Sequence, residues 1–427
     1  MTGPLAAPVR SVPVSAQFAV QLRFVATLAL LAAGCTTPSS RIPIPVRMPT
    51  LPTLARTSPS DAGMRNDLNA TLDSIMTVAI ADTAAPGGVL AVGRHGRLVH
   101  MKGYGLLDTA RTSAPVDENS IYDMASLTKV ISTTMAAMIL EEQGLLDLDR
   151  TVVSYLPEFN APEKAAITVR MLITHQGGLE AFAALYRDTK GREEYLAKIN
   201  ERPLRSPPGT TTVYSDWDLI LLQLIIERIT GQMLDRFTTD RIFAPLGMTS
   251  TMYNPDSTVF FARIAPTEID SARGGLVRGK VHDENANAMG GVSGHAGLFS
   301  TAPDLAIFAQ MMLNGGAYNG VRIVKQGTIA RWTAPQSRTS SRALGWDTPS
   351  KGSSAGKFFS PRSFGHTGFT GTSIWIDPER GLFVILLTNR VNPTRNNNRH
   401  VPLRRNVADA AQSAITDAPL INWEASR

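Results

Sequence analysis

Ser126 and Lys129 stand three residues apart in D-M-A-S-L-T-K-V-I-S-T, residues 123–133. A helical pattern begins there, with Leu127, Val130, Ile131, Met135, Met138 and Ile139 on one apolar face. Residues three apart on a helix share a face, so the Lys129 amine can reach the Ser126 hydroxyl. A neutral lysine could take the hydroxyl proton, and the helix N-terminus favours the negative charge that then develops. A serine at a helix start also has a purely structural use, as an N-cap accepting a free backbone N–H.

Two further groups have chemical potential. Tyr214-Ser215-Asp216 directly precede an amphipathic pattern. A tyrosine can shuttle a proton to a leaving group when a nearby cation lets it ionise. Ser215 or Asp216 equally suits a helix cap beside an ordinary core tyrosine. His366-Thr367-Gly368 opens a strand-like run, and Gly368 would let a substrate backbone approach a strand edge closely. A lone histidine is otherwise structural. Gly352–Gly356 spells G-S-S-A-G, which fits the G-x-S-x-G nucleophile elbow, but that motif needs a strand before it and a helix after it. Both flanks read as loop. His282-Asp283-Glu284, with His295 nearby, offers metal-ligand types without the H-E-x-x-H spacing. It reads as a structural loop near a site entrance. No Walker loop or dinucleotide fingerprint occurs, so neither a cofactor nor a metal is expected.

The elements that must position these groups follow a simple order. A helical pattern covers 64–83, and two β-rich runs in Gly87–Gly105 flank a Gly93–Gly96 turn. Another pair of β-rich runs, Gly371–Asn389, surrounds Pro378-Glu379-Arg380-Gly381. Between them the chain reads as helical at 127–144, 168–175, 217–229 and 304–313, and a last helix is expected at 407–415. Strands at both ends and helices between them predict an α+β fold. Its antiparallel sheet is built from the two chain ends and flanked by helices, with a mainly helical lobe inserted.

The chain has 427 residues, 43% of them hydrophobic, enough for a sizeable core. Its formal charge is +6, and the basic residues are scattered except for a run near Arg395–Arg405. No basic stripe with interleaved aromatics points to nucleic acid, and the late run reads as a solvated face. Cys35 is the one cysteine, which excludes an internal disulfide. Arg10 and Arg23 precede an apolar run from Phe24 to Ala33, and Ala33-Gly34 directly precede Cys35. The run has the size of a signal-peptide core and is too short to span a bilayer. Residues 35–63 are rich in Pro, Ser and Thr and read as a tether. The expected organisation is a signal peptide at 1–34, this tether, and one catalytic domain over 64–420.

The segment before Cys35 resembles a bacterial lipobox, which implies cleavage, lipid attachment to Cys35 and a periplasm-facing site. Thr36 after the cysteine leans towards the outer membrane. S-x-x-K, then Y-S-D, then H-T-G, in that order and context, resembles the penicillin-recognising serine hydrolases. These include class C β-lactamases, D-alanyl-D-alanine carboxypeptidases and β-lactamase-like esterases. The resemblance runs from about Pro86 to Asn389 and includes M-L-I-T-H-Q-G-G-L at 171–179 and the long block 281–316. It implies Ser126 as nucleophile, Lys129 as its proton-accepting partner, Tyr214 as the leaving-group tyrosine and His366 as a further catalytic group. The backbone N–H groups of Ser126 and Phe369 would form the oxyanion hole, with Asp216, Thr367 and Gly368 contacting substrate. Asp216 replaces the usual asparagine, and His366 stands where many members carry lysine. These departures weigh against efficient β-lactam hydrolysis, since its substrates carry a carboxylate, but not against acyl-enzyme formation. The resemblance favours D-alanyl-D-alanine peptides of peptidoglycan. A small ester or amide is the enzymatic alternative, and a non-hydrolytic muropeptide or β-lactam sensor is the other.

Overall fold

A computed structural model describes residues 54–426. Its centre is a five-stranded antiparallel sheet. Across the sheet the strands run Phe364–Thr367, Ser373–Asp377, Leu382–Thr388, Gly87–Arg94 and Arg97–Gly105. The two chain ends meet in the middle, where Gly88 pairs with Thr388 and Arg94 with Leu382. The sheet is therefore made from both ends of the chain, as the positions of the β-rich runs predicted.

The strands G-G-V-L-A-V-G-R and L-F-V-I-L-L-T are buried along their whole length. Near-continuous apolar strands belong to a sheet covered on both faces. Leu90, Val92, Val384 and Leu386 pack under the terminal helices Leu68–Ala81 and His400–Ser413. Val89, Ala91, Ile385 and Leu387 face the opposite way, into the larger core shared with the helical lobe. Each layer thus receives alternate residues of one strand, as strand geometry requires.

The helices follow the expected order with shifted ends. They run Val169–Ile173, Asp216–Thr230 and Ala302–Leu313. The last helix begins seven residues before its expected start, at His400. The helix after Ser126 is wider than an α-helix over Lys129–Thr134 and regular over Met135–Glu142. Such a widened turn often marks a functional site. Packing against the sheet starts upstream of Met64: Leu98 donates to Ala55 O, Thr57 donates to Leu98 O, and Ala62 is buried. Cys35 and the segment read as a signal peptide lie outside the described residues, as does most of the tether. Among the described residues no helix is long and apolar enough to cross a membrane.

Candidate active site

The strand Tyr122–Asp123 delivers the chain to Ser126 through a bent loop. Ala125 is held at φ +46°, in the left-handed region that a residue with a Cβ rarely occupies. The Asp123 carboxylate holds this bend by accepting from Ala125 N–H at 2.8 Å. Strain of this kind collects at functional sites. The Ser126 hydroxyl caps no helix; its hydrogen bond is with the Lys129 ammonium, at 3.0 Å.

Lys129 is almost fully enclosed, at 1% exposed. Its Nζ donates three hydrogen bonds: to Ser126 Oγ, to Asp216 Oδ1 at 2.8 Å and to His295 O at 3.1 Å. Burial works against the charge, but Asp216 and then Tyr214 outweigh it and hold the ammonium above the usual lysine range. The neutral, proton-accepting Lys129 expected from spacing alone is therefore corrected. The resting lysine is a cation with every donor spent, because Asp216 lies 87 residues away in sequence and 2.8 Å away in space.

Tyr214 sits in the loop before the Asp216 helix. Ser215 occupies the cap position, yet its hydroxyl donates to Glu180 O. The Tyr214 hydroxyl is buried without a partner among the described residues. The Lys129 ammonium lies 4.8 Å from the Tyr214 ring centroid and the Arg342 guanidinium 5.1 Å from it. Both cations attract negative charge developing on the phenol oxygen.

His366 lies on the edge strand of the sheet, its ring 5.8 Å from that of Tyr214. Its Nδ1 donates to Thr367 O at 2.8 Å, and its Nε2 accepts from Arg342 Nη1 at 3.4 Å. Burial, reinforced by Arg342 and Lys129, pushes its pKa well below the usual histidine range. The titrating His366 expected from sequence is thus a neutral ring, and the permanent cation at this place is Arg342. Nothing in S-S-R-A-L-G-W marks that arginine. It reaches the site because Asp347, five residues on, pairs with Gly365 on the edge strand.

The turn after His366 is stitched to the serine loop. Thr370 Oγ1 donates to Asp123 O at 2.7 Å and Thr372 Oγ1 to Met124 O at 3.1 Å. A Cβ on Gly368 would lie 2.5 Å from Met124 O and would also strike Thr372, so only glycine permits this approach. Neither Ser126 nor Phe369 donates its backbone N–H to another backbone group among the described residues.

Two cavities open from Ser126 and Tyr214, which line both. One, of about 310 Å³, carries Asp216, His282, Asp283 and Glu284, with Phe182 and Phe369. The two phenylalanines are 48% and 50% exposed. The other carries Arg342, Arg390 and Arg404, and Asp347 is the carboxylate on its wall among the described residues. Among the described residues no carboxylate forms an ion pair with any of these three arginines. The late basic run is thus not simply a solvated face. Arg404 donates to Gly368 O and Thr372 O, and Arg395 pairs with Glu268 and Glu284.

His282, Asp283 and Glu284 all line the first cavity. Asp216, Asp283 and His295 bring ligand atoms within 4.8 Å of one another. The Lys129 ammonium already supplies positive charge there, and His295 spends both ring nitrogens on Asp283 and Ser293. The G-S-S-A-G stretch lies in turns away from both cavities, with Ser354 accepting from Trp375 Nε1.

The β-lactamase family model matches residues 70–409. The chain belongs to the β-lactamase family. It is 33% identical over 404 residues to an Escherichia coli K12 protein provisionally named D-alanyl-D-alanine carboxypeptidase, covering 85% of this chain and 89% of that one. It is 36% identical over 356 residues to a Bacillus subtilis N-acetylmuramyl-L-alanine amidase, covering 73% of this chain and 80% of the relative. A penicillin-binding protein homologue from Caulobacter crescentus shares the fold, with TM-score 0.67 and 22% identity over 82% of this chain and 99% of that one. A class C β-lactamase from Rhodobacter sphaeroides does so with TM-score 0.64 and 19% identity, over 81% and 99% of the two chains. The protein is a serine hydrolase of this family, with the β-lactamase/transpeptidase-like fold.

Proposed function

We propose that the protein hydrolyses an amide whose leaving amino acid carries a free carboxylate, with the D-alanyl-D-alanine end of a peptidoglycan peptide as substrate. The observation that carries this reading is the basic cavity beside Ser126, in which Arg342, Arg390 and Arg404 have no carboxylate ion-pair partner among the described residues. Cations on a cavity wall without a carboxylate partner invite an anion, and guanidinium groups suit a carboxylate. Arg342 supplies the charge that His366 lacks, so the substitution of the usual lysine does not remove anion recognition.

In this mechanism Ser126 Oγ attacks the carbonyl carbon. Tyr214 relays the serine proton to the leaving nitrogen as the C–N bond breaks. Lys129 stays protonated and steadies the negative charge on both oxygens, while the N–H groups of Ser126 and Phe369 receive the carbonyl oxygen. His366 holds Arg342. Water then resolves the acyl-enzyme.

Arg342→Ala is expected to raise KM about 10–100-fold for a peptide ending in a free D-alanine, the loss of one charge-assisted contact. The same peptide with an amidated C-terminus should be cleaved poorly by both proteins. Chromatographic release of D-alanine measures this, and equal cleavage of acid and amide would remove the carboxylate argument.

A second reading keeps the chemistry and changes the acyl part. The amidase relative is named for a muramyl substrate, and the exposed rings of Phe182 and Phe369 at the first cavity suit the apolar face of a sugar. N-acetylmuramyl-L-alanine in the same assay separates the two, and a neutral ester tests the esterase alternative. A cell-wall substrate requires export, and the same proposal includes a lipid on Cys35. Cells fed labelled palmitate should label the wild type and not Cys35→Ala.

A further inference from the structure

We propose that His282, oriented by Glu268, is the general base that takes a proton from the water resolving the Ser126 acyl-enzyme. The inference rests on the Ser126 reading and deepens it by naming the group that completes turnover. His282 lines the same cavity as Ser126. Its backbone N–H donates to Asp123 Oδ2 at 2.6 Å, the carboxylate whose other oxygen shapes the bend before Ser126. Its ring stacks on Phe369 at 5.7 Å and 24°. The ring therefore packs against Phe369 on the wall of the cavity that Ser126 also lines.

Three of the histidines around Ser126 differ in what they have left to offer. His295 spends Nε2 on Asp283 and Nδ1 on Ser293. His366 spends both nitrogens on Thr367 O and Arg342. His282 spends Nε2 on Glu268 Oε2, at 3.0 Å. Its Nδ1 has no hydrogen-bond partner among the described residues and is not an enclosed orphan atom. Burial opposes the Glu268 charge, but Arg395 and His282 outweigh it and hold the carboxyl at about 2. In the neutral ring the carboxylate accepts the Nε2 proton and Nδ1 keeps a lone pair. A carboxylate that fixes one imidazole nitrogen so that the other can act as a base is the orienting logic of a catalytic triad. Here it lines the same cavity as the serine.

The step balances without a co-reactant. Nδ1 takes a proton from water as the water oxygen bonds to the acyl carbon. The carbonyl electrons move to the oxygen between the N–H groups of Ser126 and Phe369. On collapse the C–Oγ bond breaks and Oγ takes the proton back from Nδ1. The enzyme returns to its starting state and the acid is released. Glu268 touches no reacting atom and is a positioning residue.

The test follows the acyl-enzyme directly. The full chain is pulsed with p-nitrophenyl acetate, excess ester is removed, and decay of the acetyl adduct is followed by intact mass spectrometry. His282→Gln should acylate within about twofold of the wild-type rate but lose the adduct about 100-fold more slowly or worse, the range of one general base. Hydroxylamine, which needs no base, should release both adducts at similar rates. Glu268→Gln should slow decay about tenfold with its burst intact. Adduct decay at the wild-type rate in His282→Gln would overturn the proposal. If His282→Gln fails to acylate, Glu268→Gln decides, and unchanged decay there overturns it. An adduct that persists in Ser126→Ala would instead remove the nucleophile assignment, a separate failure.

Discussion

Ser126→Ala is expected to stay folded and form no acyl-enzyme, with turnover lower by at least about 10⁴-fold, the scale seen when a nucleophile is removed. The fold should hardly notice. The Ser126 hydroxyl is one of three acceptors around the Lys129 ammonium and caps no backbone group. Losing one hydrogen bond of this kind costs about 1 kcal/mol. The measurement is intact mass after incubation with penicillin and, separately, with an activated ester. A wild-type adduct absent from Ser126→Ala supports the assignment, and its persistence indicates slow deacylation. Acylation of the alanine variant at the wild-type rate refutes it. Turnover of penicillin, the ester or a D-alanyl-D-alanine peptide also separates an enzyme from a sensor that only binds.

Lys129→Met should lose both activity and stability, for different reasons. Removing the ammonium leaves Asp216, 17% exposed on its side chain, close to Asp283 with no countercharge. Breaking a buried pair by deleting one partner costs about 3–5 kcal/mol, because the other charge stays uncompensated. Adding Asp216→Asn removes that charge and should restore most of the stability in urea unfolding. It should not restore catalysis, since the Ser126 and Tyr214 oxygens would still lack their shared cation. Activity in the double variant should remain about 10³-fold or more below wild type. Recovery of activity along with stability would mean that Lys129 only neutralises Asp216, and the role given to it here would fall.

Much of this protein was legible in its residues before any contact was known. The β-rich runs G-G-V-L-A-V-G and L-F-V-I-L-L-T, and their positions at opposite chain ends, pointed to a sheet built from both termini. Ser126 and Lys129 were readable as a pair because helical spacing is a local rule, and three residues along one turn must meet. Helix ends were less legible, as at His400, because tertiary packing extends a helix beyond its own apolar period.

The charge states were decided only by the tertiary structure. Lys129 is a cation because Asp216 arrives from another helix. His366 is neutral because burial and Arg342 act together, and Arg342 comes from a loop with no motif. Glu268 and His282 meet across 14 residues of chain without regular spacing, and Arg395 arrives from 127 residues beyond Glu268. Periodicity reports which side chains lie along one element. Protonation depends on burial and on which charges other elements bring within a few ångströms, and folding alone sets those distances.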